Sequence, residues 1–394
     1  MTGTELAMSG TELSSTLFAT FPRSDQRRKG EEYIRGLLAT EGRKSIRNMA
    51  APTGGSAREQ SLHHFVSSST WHWMPVREAL AQYVARTVAP EAYVIRTMVI
   101  PKAGDNSVGV YRRYVPELGQ IRGVQQAVGV WAAAQETSVP VNWRLDIPQD
   151  WLDNGLRRRQ AAIPDSVREE SPEESAVEAM LAVRDWGLPA RPVVMDARDM
   201  DAMSVVRRFR SSGLRHLIRI SGSLRLTPAD PAQIGRGTPE ALPAQQIMAA
   251  AKLLRRPAVW RDHSPEHAMR TSLVAAVRIR GASRAPGMRG GGDMLLIGIG
   301  DSGKAWPSEL WLTDLVDLSP VALLRLSRLI GRVDRDFSEI SEQVGIRDYA
   351  GRSFNGWHRH ATLASAAHAV AALDGTYGTY DEELRTGTGI RRAA

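Results

Sequence analysis

Residues 319–344 constrain this chain more than any other stretch. Ser319 and Pro320 suit the N-cap and first position of a helix, because the hydroxyl can accept an orphan backbone N–H and a proline there forfeits none. Apolar residues then recur at Leu326, Ile330, Val333, Phe337, Ile340 and Val344, in alternating steps of four and three. That spacing predicts a long amphipathic helix with one buried stripe. Asp334 lies beside the stripe, and Ser327, Gly331, Ser338 and Ser341 share its side. An acid so placed either rims a groove or makes a surface ion pair.

Upstream, the period is two. Tyr93–Ile100, Ser107–Tyr114, Gly123–Ala133 and Pro140–Ile147 read as strands joined by short Gly and Pro turns, hence as antiparallel neighbours. Ser171-Pro-Glu-Glu174 reads as a capping box opening a helix. Arg191–Asp196, a helix carrying Met203, Val206 and Phe209, and Leu214–Ile220 then predict a βαβ unit with parallel pairing. Before the strands, residues 24–90 read as helices rich in base: Arg27, Arg28, Lys29, Arg35, Arg43 and Lys44. Such residues form a solvated face or contact phosphates, and both readings stay open here.

The chain has 394 residues, 42% hydrophobic and 24% charged, enough for a sizeable core in more than one lobe. It has no cysteine, which excludes disulfides and thiolate metal sites and fits a cytoplasmic location. No apolar run is long enough to span a bilayer, so no membrane partner is expected. The net charge of +8 suits an anionic partner such as nucleic acid.

Past the helix come Gly345-Ile346 and the string Gly351-Arg-Ser-Phe-Asn-Gly-Trp-His-Arg-His360. Together with Asp334-Arg-Asp-Phe337 and the earlier run Pro101-Lys102-x-Gly104, this resembles insertion-sequence transposases of the DDE (Asp-Asp-Glu) class. The resemblance implies an RNase H-like α/β fold with a mixed sheet. It also implies a helical DNA-binding module at 23–90, a core at 91–220 and 311–373 and a β-rich insertion at 221–310, while the polar composition of the two ends reads as a flexible leader (1–22) and a flexible tail (374–394). It implies DNA as partner, leaves room for a homodimer, and implies two Mg²⁺ ions held by three carboxylates. Asp196 fills the second acidic position and Asp334 the third, with aspartate for glutamate. The first position falls on Arg96 or Thr97, and neither is an acid. Asp105 lies more than about 20 Å further along an extended chain, and Glu91 precedes the strand. For DNA contact the resemblance adds Lys102, Arg352, His358, Arg359 and His360 to the basic residues of the module.

The expectation is therefore a transposase-like DNA-binding protein with impaired cleavage and strand transfer, recruited to regulation. Two other readings stand beside it: an active, Mg²⁺-dependent transposase with an unusual ligand set, and a repurposed protein with other chemistry or a scaffold role. Gly298–Lys304 mimics part of a phosphate-binding loop, but Ala305 replaces the metal-binding hydroxyl and Trp306-Pro307 does not open a helix. Ser302 lacks a nucleophile-elbow context. His358 and His360, two apart, cannot share one helix face for zinc.

Overall fold

The computed structural model describes residues 13–52, 55–115, 119–235, 237, 240–261, 269–281, 294–301 and 305–374. Helix α1 (Ser24–Ala39) buries Tyr33, Ile34 and Leu37 on one face. Helix α2 (Ile46–Ala50) begins at Ser45, whose hydroxyl accepts the Asn48 amide. Helices α3 (Gly55–Ser67) and α4 (Trp73–Thr87) complete the helical module. Residues 13–22, expected as part of a loose leader, belong to its core. Leu13, Leu17, Phe18 and Phe21 are all buried, and Phe21 packs its ring against Phe65 and Trp71. Four large apolar groups in so short a stretch gain about 1.5–3 kcal/mol each on burial, enough to order the segment. Residues 1–12 and the expected tail beyond Asp374 lie outside the described residues.

The sheet begins with β1 (Ala92–Lys102), β2 (Tyr111–Val115), β3 (Gln120–Ala133) and β4 (Ser138–Leu145). β1 is antiparallel to β3, and β3 to both β2 and β4. The second strand starts later than its alternation suggests because Gly109 adopts φ +73° and the Val110 amide donates to the Ser107 carbonyl, closing a turn. Short helices α5 (Gln149–Asp153) and α6 (Gly155–Gln160), the latter with Arg157, Arg158 and Arg159 in its last turn, connect β4 to the next helix. Helix α7 (Pro172–Arg184) opens with the predicted capping box, Ser171 and Glu174 satisfying each other's backbone N–H groups. β5 (Val193–Asp196), α8 (Ala202–Ser211) and β6 (His216–Arg219) form the βαβ unit, its strands parallel.

A small ribbon, β7 (Arg225–Leu226) with β8 (Leu242–Pro243), and helix α9 (Ala244–Ala250) follow. Next come β9 (Arg256–Arg261), β10 (Met269–Ile279), β11 (Met294–Asp301) and β12 (Glu309–Thr313). The sheet order is β2-β3-β1-β5-β6-β12-β11-β10-β9, with β4 also on β3. Within it β4-β3-β1-β5-β6 is an RNase H-like core. β12 covers the edge β6 would otherwise expose, and β11, β10 and β9, supplied by the β-rich stretch 221–310, continue the core sheet outward from it.

Helix α10 (Pro320–Asp336) starts where predicted, the Ser319 hydroxyl accepting the Ala322 amide, and lies across β1, β5 and β9. Its regular hydrogen bonding gives way to a wider π-type turn at Phe337–Ser341. The stripe nevertheless stays buried through Phe337, Ile340 and Val344. Asp336 anchors the helix to the sheet: its buried carboxylate accepts the Ser138 amide and hydroxyl and pairs with Arg332. Helix α11 (Phe354–Asp374) is buried along nearly its whole length and packs on α1, α3, α4 and β4. Its alanines at 361, 364, 366, 367 and 369 permit that close approach.

Candidate functional site

Parallel pairing of β1 and β5 sets Ile95 beside Met195, so Arg96 and Asp196, one residue on, occupy corresponding positions on neighbouring strands. Side chains alternate along a strand, so Arg96 and Thr97 point to opposite faces. Arg96 faces α10. Its Nε donates to Asp334 Oδ1 at 2.9 Å, and its guanidinium lies 3.7 Å over the Phe337 ring. Nη1 donates to the Thr97 carbonyl, which fixes the side chain further. Of the two ways to read Asp334 in the sequence, the ion pair is the one found; its carboxylate is 57% exposed.

Asp196 ends β5 as expected, and it too is engaged by cations. Arg198 grips both carboxylate oxygens through Nε and Nη2, at 2.7–3.0 Å, and offers its backbone amide. Arg219, paired with Asp196 across β5 and β6, adds an Nη1 contact at 3.5 Å. The hydrogen bond to Asp196 pushes the Arg198 guanidinium further up.

This donor set does not fit two divalent ions. Mg²⁺ requires hard oxygen ligands, and the β1 position beside Asp196 carries Arg96 in place of a carboxylate. A guanidinium about 4 Å from a divalent ion is opposed by roughly 8 kcal/mol at an effective dielectric near 20. Among the described residues no group of three or more His, Cys, Asp or Glu side chains could hold a metal. Glu91 is no substitute, being engaged by Arg325 and Gln135.

Residues 16–286 match the family model described as DDE superfamily endonuclease. The chain belongs to that family. No curated protein matches it. The matched region of this DDE superfamily member includes Arg96 and Asp196 and ends before α10, so it does not reach Asp334.

The residues expected on DNA divide sharply. Arg27, Arg28, Arg35, Arg43 and Arg352 are exposed and Lys29 is half-buried. Lys44 is buried, with Nζ on the Thr40 carbonyl and its amide on Asp348. Lys102 donates to the Tyr349 carbonyl at 2.7 Å, and burial pushes its ammonium down to about 8.

His358, Arg359 and His360 are corrections: all three are core. Arg359 donates to the Trp71 and Val66 carbonyls. His360 lies between the Tyr33 hydroxyl at Nδ1 and the Gly345 carbonyl at Nε2. That pairing defines a neutral ring with the proton on Nε2, and burial pushes the ring down to about 4. His358 stacks on Trp73 and accepts from Arg77 at Nδ1; burial, then the Arg77 charge, drives it well below the usual histidine range. None of the three presents a side chain to a duplex.

Sequence reasoning missed Arg77. Its buried guanidinium meets only neutral acceptors: Thr362 Oγ1, Asn142 Oδ1, the Trp143 carbonyl, and the ring and carbonyl of His358. It joins the helical module, the sheet and α11 at one point. The available signal was its position, three and seven residues before Leu80 and Val84 on the apolar face of α4. The phosphate-loop mimic also resolves. Gly298 and Gly300 lie in β11 between β10 and β12, where Trp306 packs against both. Ser302, Gly303 and Lys304 lie outside the described residues.

Proposed function

We propose that this DDE superfamily member binds DNA without cleaving or joining it by metal-dependent chemistry, and acts by occupying its site, as a regulator does. One observation carries the reading: Arg96 stands in the central strand where a metal-bridging acid is needed, and closes an ion pair with Asp334. Arginines occupy Asp196 in the same way. Where a nuclease would concentrate cations on substrate phosphate, this chain carries the guanidinium groups of Arg96, Arg198 and Arg219, a group that suits a phosphate backbone directly. The exposed arginines of α1 and the net charge of +8 support the same partner.

The test uses purified protein with labelled duplexes taken from the DNA flanking its own gene, in Mg²⁺ and in Mn²⁺. Salt-sensitive binding with no nicking or strand transfer is expected. Metal-dependent nicking that disappears in Asp196→Asn refutes the proposal, as does the absence of binding at low salt.

A further inference from the structure

We infer that the β2–β3 hairpin is a second DNA-contacting arm, with Arg112 on the phosphate backbone and the Tyr114–Ile121 pair against sugar and base edges. The inference rests on the DNA-binding reading above and extends it to residues remote from Arg96.

Cross-strand pairing places Arg112, Gly123 and Lys102 in one row over β2, β3 and β1, their side-chain positions on one face. Gly123 adds no side chain to the middle of the row, and Lys102 is turned toward Tyr349, so Arg112 is the exposed cation of the row. Two residues further along the same face, Tyr114 and Ile121 stand directly opposite each other, 57% and 61% exposed. A paired tyrosine and isoleucine left open to water on a narrow ribbon lose the burial that such side chains gain elsewhere in this sheet.

On the other face Arg113 stands opposite Arg122. Like charges directly across a ladder destabilise it. Among the described residues neither of them, nor Arg112, has a carboxylate partner. An apolar pair flanked by unneutralised arginines is matched by a partner that is polyanionic yet offers apolar edges between its charges. Duplex DNA is such a partner, its phosphates taking arginine and its grooves taking apolar side chains.

The experiment measures fluorescence anisotropy of a labelled duplex against the full chain across a salt series. Variants are Arg112→Glu, Tyr114→Ala with Ile121→Ser, and Arg184→Glu, an equal charge change on α7. Because the substituted side chains are exposed, melting temperatures should match the wild type. Arg112→Glu should weaken binding roughly tenfold and make the salt slope shallower by about one. The apolar double variant should weaken binding while leaving the slope in place, and Arg184→Glu should change neither. If the wild type binds and the hairpin variants bind equally well, the hairpin inference fails alone. An equal loss in Arg184→Glu also overturns it, by reducing the effect to bulk charge. If the wild type binds no duplex at low salt, the DNA-binding reading fails and the inference falls with it.

Discussion

The histidines of α11 predict a steep loss of stability in mild acid. His360 and His368 are both fully enclosed, and burial holds each near pKa 4. His368 repeats the arrangement of His360, with Ser341 Oγ at Nδ1 and the Ser138 carbonyl at Nε2. In the unfolded chain both rings return to about 6.5. Between pH 6.5 and 4 the unfolded state therefore takes up protons that the folded state refuses. The stability present above 6.5 is lost as pH falls, by about 1.4 kcal/mol per unit for each ring. From pH 7 to pH 5 this amounts to about 2 kcal/mol each, or about 4 together. Asp146 opposes them: burial, with Glu169 and Glu170 nearby, raises its carboxyl to about 6, which returns about 1 kcal/mol over the same interval. His358 and His216, both lowered by burial, add to the loss. A net loss of at least about 3 kcal/mol is expected, a large share of an ordinary domain's stability. Urea unfolding at pH 7 and pH 5, followed by tryptophan fluorescence, measures it. The His360→Gln/His368→Gln variant, whatever its absolute stability, should lose the roughly 4 kcal/mol of pH dependence that these two rings supply. A wild type equally stable at both pH values, or a double variant with the full loss, refutes the reasoning.

Three further outcomes follow from particular contacts. Arg96→Asp removes the cation that holds Asp334 and supplies a carboxylate beside Asp196, so Mn²⁺ should raise the melting temperature of this variant and leave the wild type unchanged. Arg77→Met strips the donors from Asn142 Oδ1 and the Trp143 and His358 carbonyls; at about 1 kcal/mol or more per orphaned group, partly offset by the guanidinium's own desolvation, denaturant melts should show a loss of about 2–4 kcal/mol. Gly356→Ala drives a methyl group onto the buried Tyr349 hydroxyl, so it should lower the melting temperature, and adding Tyr349→Phe should restore part of the loss.

Legibility in the sequence followed the range of the interactions. The Ser319 cap, the Ser171–Glu174 box and the βαβ unit depend on residues a few positions apart, and each is found where spacing puts it. Arg96 and Thr97 were legible as an acid-free strand position, but only the sheet's alternation picks Arg96 as the one facing Asp334. The string Gly351–His360 is distinctive in sequence because Tyr349 closes over Gly351 and Gly356 while His358, Arg359 and His360 tie α11 to the module. Histidine and arginine read as polar surface from composition; their burial depends on hydrogen-bond partners as far away as Tyr33 and Val66, which no local window contains. The pairing of β12 with β6 is hidden for the same reason.

The last helix carries a consequence for how the protein is made. Helix α11 closes the cores of α1, α3 and α4, more than 260 residues earlier in a chain of 394, and until it leaves the ribosome those helices have no partner for the faces it covers. Contacts of such long sequence separation slow folding, and the nascent chain must wait with apolar surface open to chaperones. A product truncated before Phe354 would not be a smaller version of the protein but an unfinished one, fit for proteolysis. Synthesis to the end of α11 is thus a built-in check that only copies carrying this helix complete the helical module.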